Sequence, residues 1–345
     1  MGRFEGIEIC KTSDPKWNEM ISRLPIEKQD IYYSAEYYRS FERITGMSAE
    51  MFCFMQGSDL GIYPYLKTEI RRDYLTHPYY DIETVYGYGG PLAVSSDQRF
   101  CRVFEERFEE YCRDNDIVAE FIRFHPILAN EHIFSNLDVI HNRVTVMVDL
   151  TLSEDDIWTK ELTSGNRNVI RKCIKNGLTV IESDDYDTFY EIYKETMDKV
   201  GAESFYYLDR EFFEEMKKDD HYHLLVCVSN EEIIAAAVFM GYGDYFHYHF
   251  AGSRKESLSL SPNNILLWEA IKFAKEHGYK KMHLGGGLTD SEEDSLFRFK
   301  ARYSRIYRDF YIGKRVHNEV VYRKLISDWE KKHGINATRL LQYKE

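Results

Sequence analysis

Apolar and polar residues follow two periods along this 345-residue chain, and they change over in blocks. In the first 150 residues a 3.6-residue period predicts helices at Ala35 to Ile44 and at Asp97 to Asp114. Runs of period two, rich in β-branched and aromatic side chains, predict strands at Ala49 to Phe54, Leu60 to Leu66, Ile117 to Phe124 and Arg143 to Leu150. Between them, Tyr86-Gly87-Tyr88-Gly89-Gly90-Pro91 cannot be regular structure and reads as a turn where backbone comes close to something. Near Leu150 to Asp156 the strand pattern gives way to a helix, with Ser153 as N-cap and acidic residues in its first turn. A domain boundary is placed there, giving domains 1–150 and 151–345. The second domain reads as helices at Asp156 to Lys175, Tyr186 to Val200 and Arg210 to Lys218. Strands follow at Tyr222 to Val228, Ile233 to Met240 and Tyr245 to Ala251, then a helix at Asn264 to His277. A strand at Lys281 to Leu284, the triplet Gly285-Gly286-Gly287, a helix at Ser291 to Tyr303 and a strand at Arg308 to Ile312 complete it. The fold class is α/β, two domains with mixed sheets flanked by helices.

Composition narrows the function classes. A net charge of −13 argues against DNA binding through a basic surface. Two basic islands stand out, Lys160 to Lys175 and Arg298 to Arg315, and imply a localised anion site. No apolar run reaches the ~20 residues of a membrane span and no apolar leader is evident, so a cytoplasmic protein without an integral membrane segment is expected. The six cysteines form no C-x-x-C pair, which suits a reducing compartment; Cys227, inside an apolar strand, reads as core. The 27 tyrosines fit a ligand wall for sugars or peptides.

Candidate chemistry gathers at the carboxyl ends of the second domain's strands, where open α/β sheets bind ligands. Alternation along Tyr245 to Ser253 puts His247 and His249 on one face and Tyr248 on the other. The helix opening at Ser261-Pro262-Asn263-Asn264 offers backbone N–H groups to a phosphate or an oxyanion. The glycines Gly285, Gly286 and Gly287 let a ligand approach bare backbone. Leu296, Phe299 and Tyr303 form a buried stripe, with Lys300 at its edge, its stem sheltered and its ammonium in a cleft. His247 and His249 lack a third ligand at convincing spacing, so no metal site is expected.

These residues, with Tyr248-His249-Phe250-Ala251, Asn263-Asn264-Ile265-Leu266-Leu267, His283-Leu284-Gly285-Gly286-Gly287 and Leu296-Phe297-Arg298-Phe299-Lys300, resemble the FemAB-like branch of the GNAT acyltransferase superfamily. Gly165 to Lys172 resembles its basic helix, and Tyr86 to Pro91 and Arg123-Phe124-His125-Pro126 resemble segments of its first domain. The resemblance implies a pair of GNAT-like domains and an N-acyltransferase. It would move an aminoacyl or acyl group to an amine of a cell-wall or glycan precursor, a small molecule or a lipid-linked one. The donor would be aminoacyl-tRNA, bound by its acceptor end, or acyl-CoA, with no tightly bound cofactor. It also implies that Lys300 meets substrate phosphate or the donor, and that Arg167 and Arg171 lie near the acceptor's phosphates. His249 is the candidate base; Tyr86, Tyr88, Tyr248, Asn264, Phe299 and the three glycines are candidate substrate contacts. Two departures stand out: the long helical arm of the peptidoglycan-bridge enzymes is missing, and the segment Ser253 to Asn263 lacks the glycine-rich pattern of CoA-using members. An acetyl-CoA-dependent N-acetyltransferase acting on an amino sugar or polymer precursor, and a catalytically silent ligand-binding module, are the two competing readings.

Overall fold

A computed structural model describes residues 5–201, 203 and 206–344. The chain divides into two compact units, residues 1–142 with 309–345, and residues 143–308. The division differs from the expected boundary near residue 150 in two ways. The chain passes from one unit to the other inside a strand rather than after it, and the last segment returns to the first unit.

The first unit opens with β1 (Glu5–Lys11), α1 (Lys16–Ser22), α2 (Ala35–Thr45), β2 (Ser48–Gln56) and β3 (Asp59–Ile70). β4 (Tyr79–Glu83), the short β5 (Leu92–Ala93), α3 (Gln98–Asp114) and β6 (Ile117–Arg123) follow, and β7 (Asp138–Asp149) carries the chain into the second unit. In α3 the Asp97 side chain accepts from the Arg99 N–H, so Asp97 is the cap and not the first helical residue. Its Phe100, Phe104 and Phe108, four apart and therefore on one face, stack against Phe52, Phe54 and Tyr63 of the sheet.

The second unit continues with α4 (Glu154–Asp156), which runs into a π turn at Ile157–Glu161. Then come α5 (Ser164–Lys175), β8 (Thr179–Ser183), α6 (Tyr186–Val200), α7 (Arg210–Met216), β9 (Tyr222–Ser229), β10 (Glu232–Tyr242) and β11 (Tyr245–Ser253). α8 (Pro262–Glu276), β12 (Lys281–Gly285) and α9 (Ser295–Lys300) complete it; β13 (Ile306–Val316) and α10 (Glu319–His333) lead back. The single helix expected over Asp156 to Lys175 is two. Leu162 turns extended and Thr163 caps α5 by accepting from Asn166 N–H, so the backbone restarts there. The helix expected over Ser291 to Tyr303 is only the six residues of α9, because Asp294 takes the cap position and the chain before it is a turn.

The two units repeat one topology. The first orders its strands β1-β2-β3-β4-β6-β13 and the second β8-β9-β10-β11-β12-β7. In each, the first four neighbours are antiparallel, the next pair (β4 with β6, β11 with β12) is parallel, and the last partner is antiparallel again. A helix, α3 or α8, makes the crossover that a parallel pair requires. On one face of the second sheet α5 and α8 bury Ile170, Leu266, Trp268 and Ile271 against Phe239 and Phe246. On the other face α6 and α7 present Tyr193, Phe212 and Phe213 to Phe250. This is the mixed α/β architecture expected, helices flanking mixed sheets. Among the described residues no helix is long and apolar enough to cross a membrane.

Candidate functional site

The candidate residues of the second unit gather around its parallel pair, β11 and β12. Its register runs from Tyr245–Lys281 to His247–His283 and stops, while β11 continues to Ser253. β12 ends two residues later at Gly285, whose φ of +75° turns the chain in a way a side chain would resist. The turn that follows is held by two side chains. The Arg143 guanidinium donates to the Gly287 carbonyl at 2.6 Å. The Asp294 carboxylate accepts from the Leu288 and Thr289 N–H groups at 3.0 and 3.1 Å, while its other oxygen accepts from the Leu296 and Phe297 N–H groups that open α9. A Cβ on Gly287 would lie 2.4 Å from Asp294, so glycine is what lets the cap close over the turn.

Lys300 points into this turn. Its side chain is buried, its Nζ donates to the Gly286 carbonyl at 2.8 Å and lies 5.8 Å from the centroid of the Tyr248 ring. The expected ammonium reaches into a cleft from the edge of a stripe; here it is buried against the glycine turn. Because α9 is short and ends at Lys300, the side chain lies under the glycine turn instead of along a helix surface. Burial lowers its pKa to about 7; Asp294 opposes this and Arg143 adds to it. The result is an amine that is partly unprotonated at neutral pH.

His249 has a different environment from the one alternation implies. Phe250 pairs with Val238 and Tyr248 with Phe239, so β11 carries one extra residue, His249, at a bulge. His247, opposite Met240, therefore shares a face with Phe250, and strict alternation ends at His249. Burial, with His247 as the second cause, lowers the pKa of His249 to about 3. Protonating it at pH 7 costs on the order of 5 kcal/mol. Tyr248 remains a phenol, since burial raises its pKa.

Asn264 is tied into the same region by the protein itself. Its Nδ2 donates to Asn166 Oδ1 at 2.8 Å and its carbonyl accepts from the Tyr303 hydroxyl at 2.8 Å. Its N–H donates to the Ser261 carbonyl, and Pro262 has no N–H, so this helix start presents fewer donors than expected. Phe299 is half-buried, edge-on to Tyr303.

Arg167 and Arg171 both gather at Trp158. Arg167 donates to the carbonyls of Trp158, Thr159 and Leu162, fastening the end of the π turn. Arg171 is exposed, 5.3 Å from the Trp158 ring centroid, and donates to Asn168. The basic run Arg298 to Arg315 is not one patch. Arg298 pairs with Glu293, whereas Arg315 belongs to the first unit and is buried among Glu105, Glu109 and Glu120. Tyr86 and Tyr88 also belong to the first unit. Tyr86 stacks on Phe41 and accepts from the Tyr37 hydroxyl through its carbonyl, and Tyr88 sits among the rings of Tyr32, His125 and Phe310. What the glycines of that turn approach is Tyr32, 2.3 Å from where a Gly87 Cβ would be, and Asn130, whose amide donates to the Gly89 and Pro91 carbonyls.

Arg143 and Asp294 were not singled out by the sequence. Asp294 lies in Asp290 to Asp294, an acidic run that reads as solvated surface, and Arg143 is the first polar residue of an apolar strand. The spacing of Asp294 three residues ahead of Phe297 was the one usable signal, that of a helix cap.

Comparison with known proteins bears on the second unit. Residues 164–303 match the acetyltransferase (GNAT) domain family and include the glycine turn, Tyr248, His249, Asn264 and Lys300. The chain is 24% identical over 198 residues to the UDP-N-acetylmuramoylpentapeptide-lysine N(6)-alanyltransferase of Weissella viridescens, covering 55% of this chain and 58% of that protein. It is 32% identical over 88 residues to the lipid II:glycine glycyltransferase of Staphylococcus haemolyticus (strain JCSC1435), covering 24% of this chain and 21% of that one. The matches thus span less than two thirds of either relative. In fold it is similar to the crystal structure of FemX, with a TM-score of 0.69 at 16% identity over 92% of this chain and 99% of that chain. It is also similar to a tandem GNAT protein from the clavulanic acid biosynthesis pathway, with a TM-score of 0.50 at 8% identity over 91% and 99%. The second unit therefore carries a GNAT acetyltransferase domain, and the sequence relatives are Fem-type transferases.

Proposed function

We propose that this protein is an acyltransferase that attaches an aminoacyl group to an amine of a peptidoglycan precursor, with the second unit performing the chemistry. The observation that carries the reading is Lys300, a buried amine with a pKa near 7 beneath a glycine turn, inside the stretch that matches the GNAT domain. The names of the two sequence relatives supply the substrate class, since each adds an amino acid to an amine of such a precursor. Aminoacyl-tRNA is the proposed donor, presented by its acceptor end, and the acceptor is a small or lipid-linked precursor.

In the proposed step the acceptor nitrogen attacks the ester carbonyl carbon of the donor. A C–N bond forms, the C–O bond to the ribose breaks, and the amine gives up one proton. Unprotonated Lys300 takes that proton and returns it to the departing oxygen, a role worth ~10²–10⁴-fold in rate. Its pKa lies near the working pH, where a general base performs best. With a pKa of about 3, His249 is a poor acceptor and instead orients substrate as a neutral donor or acceptor. Tyr248 walls the amine with its ring, and Arg171 offers an exposed charge to a phosphate.

The test is mass spectrometry of UDP-N-acetylmuramoyl-pentapeptide after incubation with the protein. One arm contains a mixed aminoacyl-tRNA pool and the other acetyl-CoA. A gain of one amino-acid residue supports the proposal. A gain of an acetyl group on that peptide or on an amino sugar makes the protein an N-acetyltransferase. No gain with either donor, together with retained binding of the peptide, makes it a ligand-binding module.

A further inference from the structure

Sulfur is concentrated on one face of the first unit's edge. β1 begins the strand order and pairs with β2 so that Cys10 lies opposite Met51 and Glu8 opposite Cys53. Residues opposite each other in a ladder, and residues two apart on one strand, share a face. Cys10, Met51 and Cys53 are therefore neighbours on one side of the sheet, and each is 0% exposed. The Cys10 and Cys53 thiols are hydrogen-bonded to each other. Cys53 Sγ also lies 3.9 Å from the Met51 carbonyl, so this side chain leans back along β2 toward Met51.

We propose that Cys10, Cys53 and Met51 form a binding site for a soft monovalent cation, copper(I). Thiolate and thioether sulfurs are the ligands that select Cu(I), whereas harder divalent ions take imidazole, carboxylate or carbonyl groups. The trio supplies two thiols and one thioether. A structural zinc ion takes four ligands, and the nearest further donor on this face, the Glu8 carboxylate opposite Cys53, is already paired with Lys16. The spacing favours an ion over a disulfide. Cys10 and Cys53 are diagonal across the two strands. Diagonal backbone positions stand ~7–8 Å apart, wider than the ~5.5–6 Å usual across a disulfide. A metal ion between two sulfurs, ~2.3 Å from each as in zinc thiolates, spans about twice the gap of the ~2 Å S–S bond.

The charge also closes. Binding displaces one proton from each thiol to solvent, and nothing is oxidised or reduced. Cu(I) with two thiolates then carries one negative charge, and a buried charge needs a partner. Arg23 provides it: the guanidinium lies 3.5 Å from the sulfurs of Met20 and Met55 and attracts the Cys53 thiolate. Met55 is two residues beyond Cys53 on β2 and shares its face. β1 is an edge strand with β2 as its neighbour in the sheet, so local opening of β1 gives the ion a way in.

Anaerobic titration of the full chain with Cu(I), in competition with the chelator bathocuproine disulfonate, tests the site. One equivalent held per chain is expected, with the ultraviolet absorption of copper–thiolate bonds. Cys10→Ser and Cys53→Ser should each weaken binding at least about 100-fold, and Met51→Leu, which keeps the volume, about tenfold. Cys101→Ser on α3 should leave it unchanged, and Zn(II) should bind far more weakly than Cu(I). Should the serine variants fail to fold, the unaltered chain still decides. Its alkylation by iodoacetamide should slow at least about tenfold at Cys10 and Cys53 when Cu(I) is present and keep its rate at Cys101. Failure to hold copper against the chelator overturns the site. So does zinc held as tightly as copper, a loss in Cys101→Ser equal to the other two, or alkylation that slows equally at all three cysteines.

Discussion

Replacing Lys300 with methionine should make the second unit more stable and the protein inactive, and the stability gain should depend on pH in a set direction. In the folded chain Lys300 titrates at about 7, whereas an unfolded lysine titrates near 10.4. Between those values the unfolded state binds the extra proton and the folded state does not, so stability rises with pH. The contribution is fully present above the unfolded value and is lost as pH falls toward the folded one. At pH 7 the penalty for burying this amine is about 4 kcal/mol, and at pH 9.5 about 1 kcal/mol, both order-of-magnitude figures. Methionine is close in length, uncharged at every pH and tolerant of irregular apolar space. The gap between Lys300→Met and the parent should therefore shrink by roughly 3 kcal/mol across that range.

Urea denaturation at pH 7, 8, 9 and 9.5, followed by a probe in the second unit, measures the gap directly. The single-turnover rate of acyl transfer, measured on the same samples, should fall at least 100-fold in the variant, the lower end of general-base assistance. A residue whose loss stabilises the fold and stops the reaction is one held at a cost for function. A gap that does not change between pH 7 and 9.5 would refute the claim that Lys300 is an amine titrating near neutrality. A variant that turns over normally would remove it from the reaction.

Other perturbations separate architecture from chemistry. Gly287→Ala places a methyl 2.4 Å from Asp294, so it should slow transfer at least tenfold while shifting the melting temperature by only a few degrees; equal turnover would show that the cap does not position the turn. Arg167→Met removes a donor to three carbonyls and should cost about 1.5–3 kcal/mol in thermal or urea denaturation, whereas Arg171→Met should leave stability within about 0.5 kcal/mol and raise KM for the precursor. Arg315→Met leaves Glu105, Glu109 and Glu120 facing one another, 3.0, 2.6 and 2.8 Å from where the guanidinium had been, and should cost about 3–5 kcal/mol at pH 7. That loss should diminish as pH falls, because Glu120, no longer held down by the guanidinium, is pushed up by its burial and takes up a proton more readily; an equal loss at low and neutral pH would count against the charge argument.

The elements that could be read from the sequence are those with a buried face. α3 shows its Phe100, Phe104 and Phe108 at helical spacing, and β10 shows Ile234 to Met240 as an apolar run that the sheet buries. β8 could not be read in this way. As an edge strand its five residues are all exposed or half-exposed, so Thr179 to Ser183 carries no buried apolar face to detect. The five residues of β4 include two acids, one of them, Asp81, buried and met by the Tyr343 hydroxyl from the far end of the chain. The candidate site shows the same limit. The glycine triplet and Lys300 were visible because their residue types are unusual where they stand. The bulge at His249 was not, since an extra residue in a strand leaves no mark on composition, and it changes which side chains share a face.

The two units share one strand order, and the stretch that matches the GNAT domain lies in the second. Both have a crossover helix and a parallel pair, so both have the same strand ends at which a ligand could sit. In the first unit the gap beyond that pair is bridged by the chain itself, Gly89 laddering with Phe124, and Asn130 pins the turn in place. In the second the ladder stops at His247 and His283 although β11 runs on to Ser253, and the turn after β12 is stabilised by side chains, Arg143 and Asp294, and not by a further strand. A turn held by side chains can expose its carbonyls and N–H groups to a substrate without unravelling the sheet. In the second unit a buried lysine with a lowered pKa lies under that turn, while the corresponding strand ends of the first unit bear the ion pair of Glu83 and Arg123.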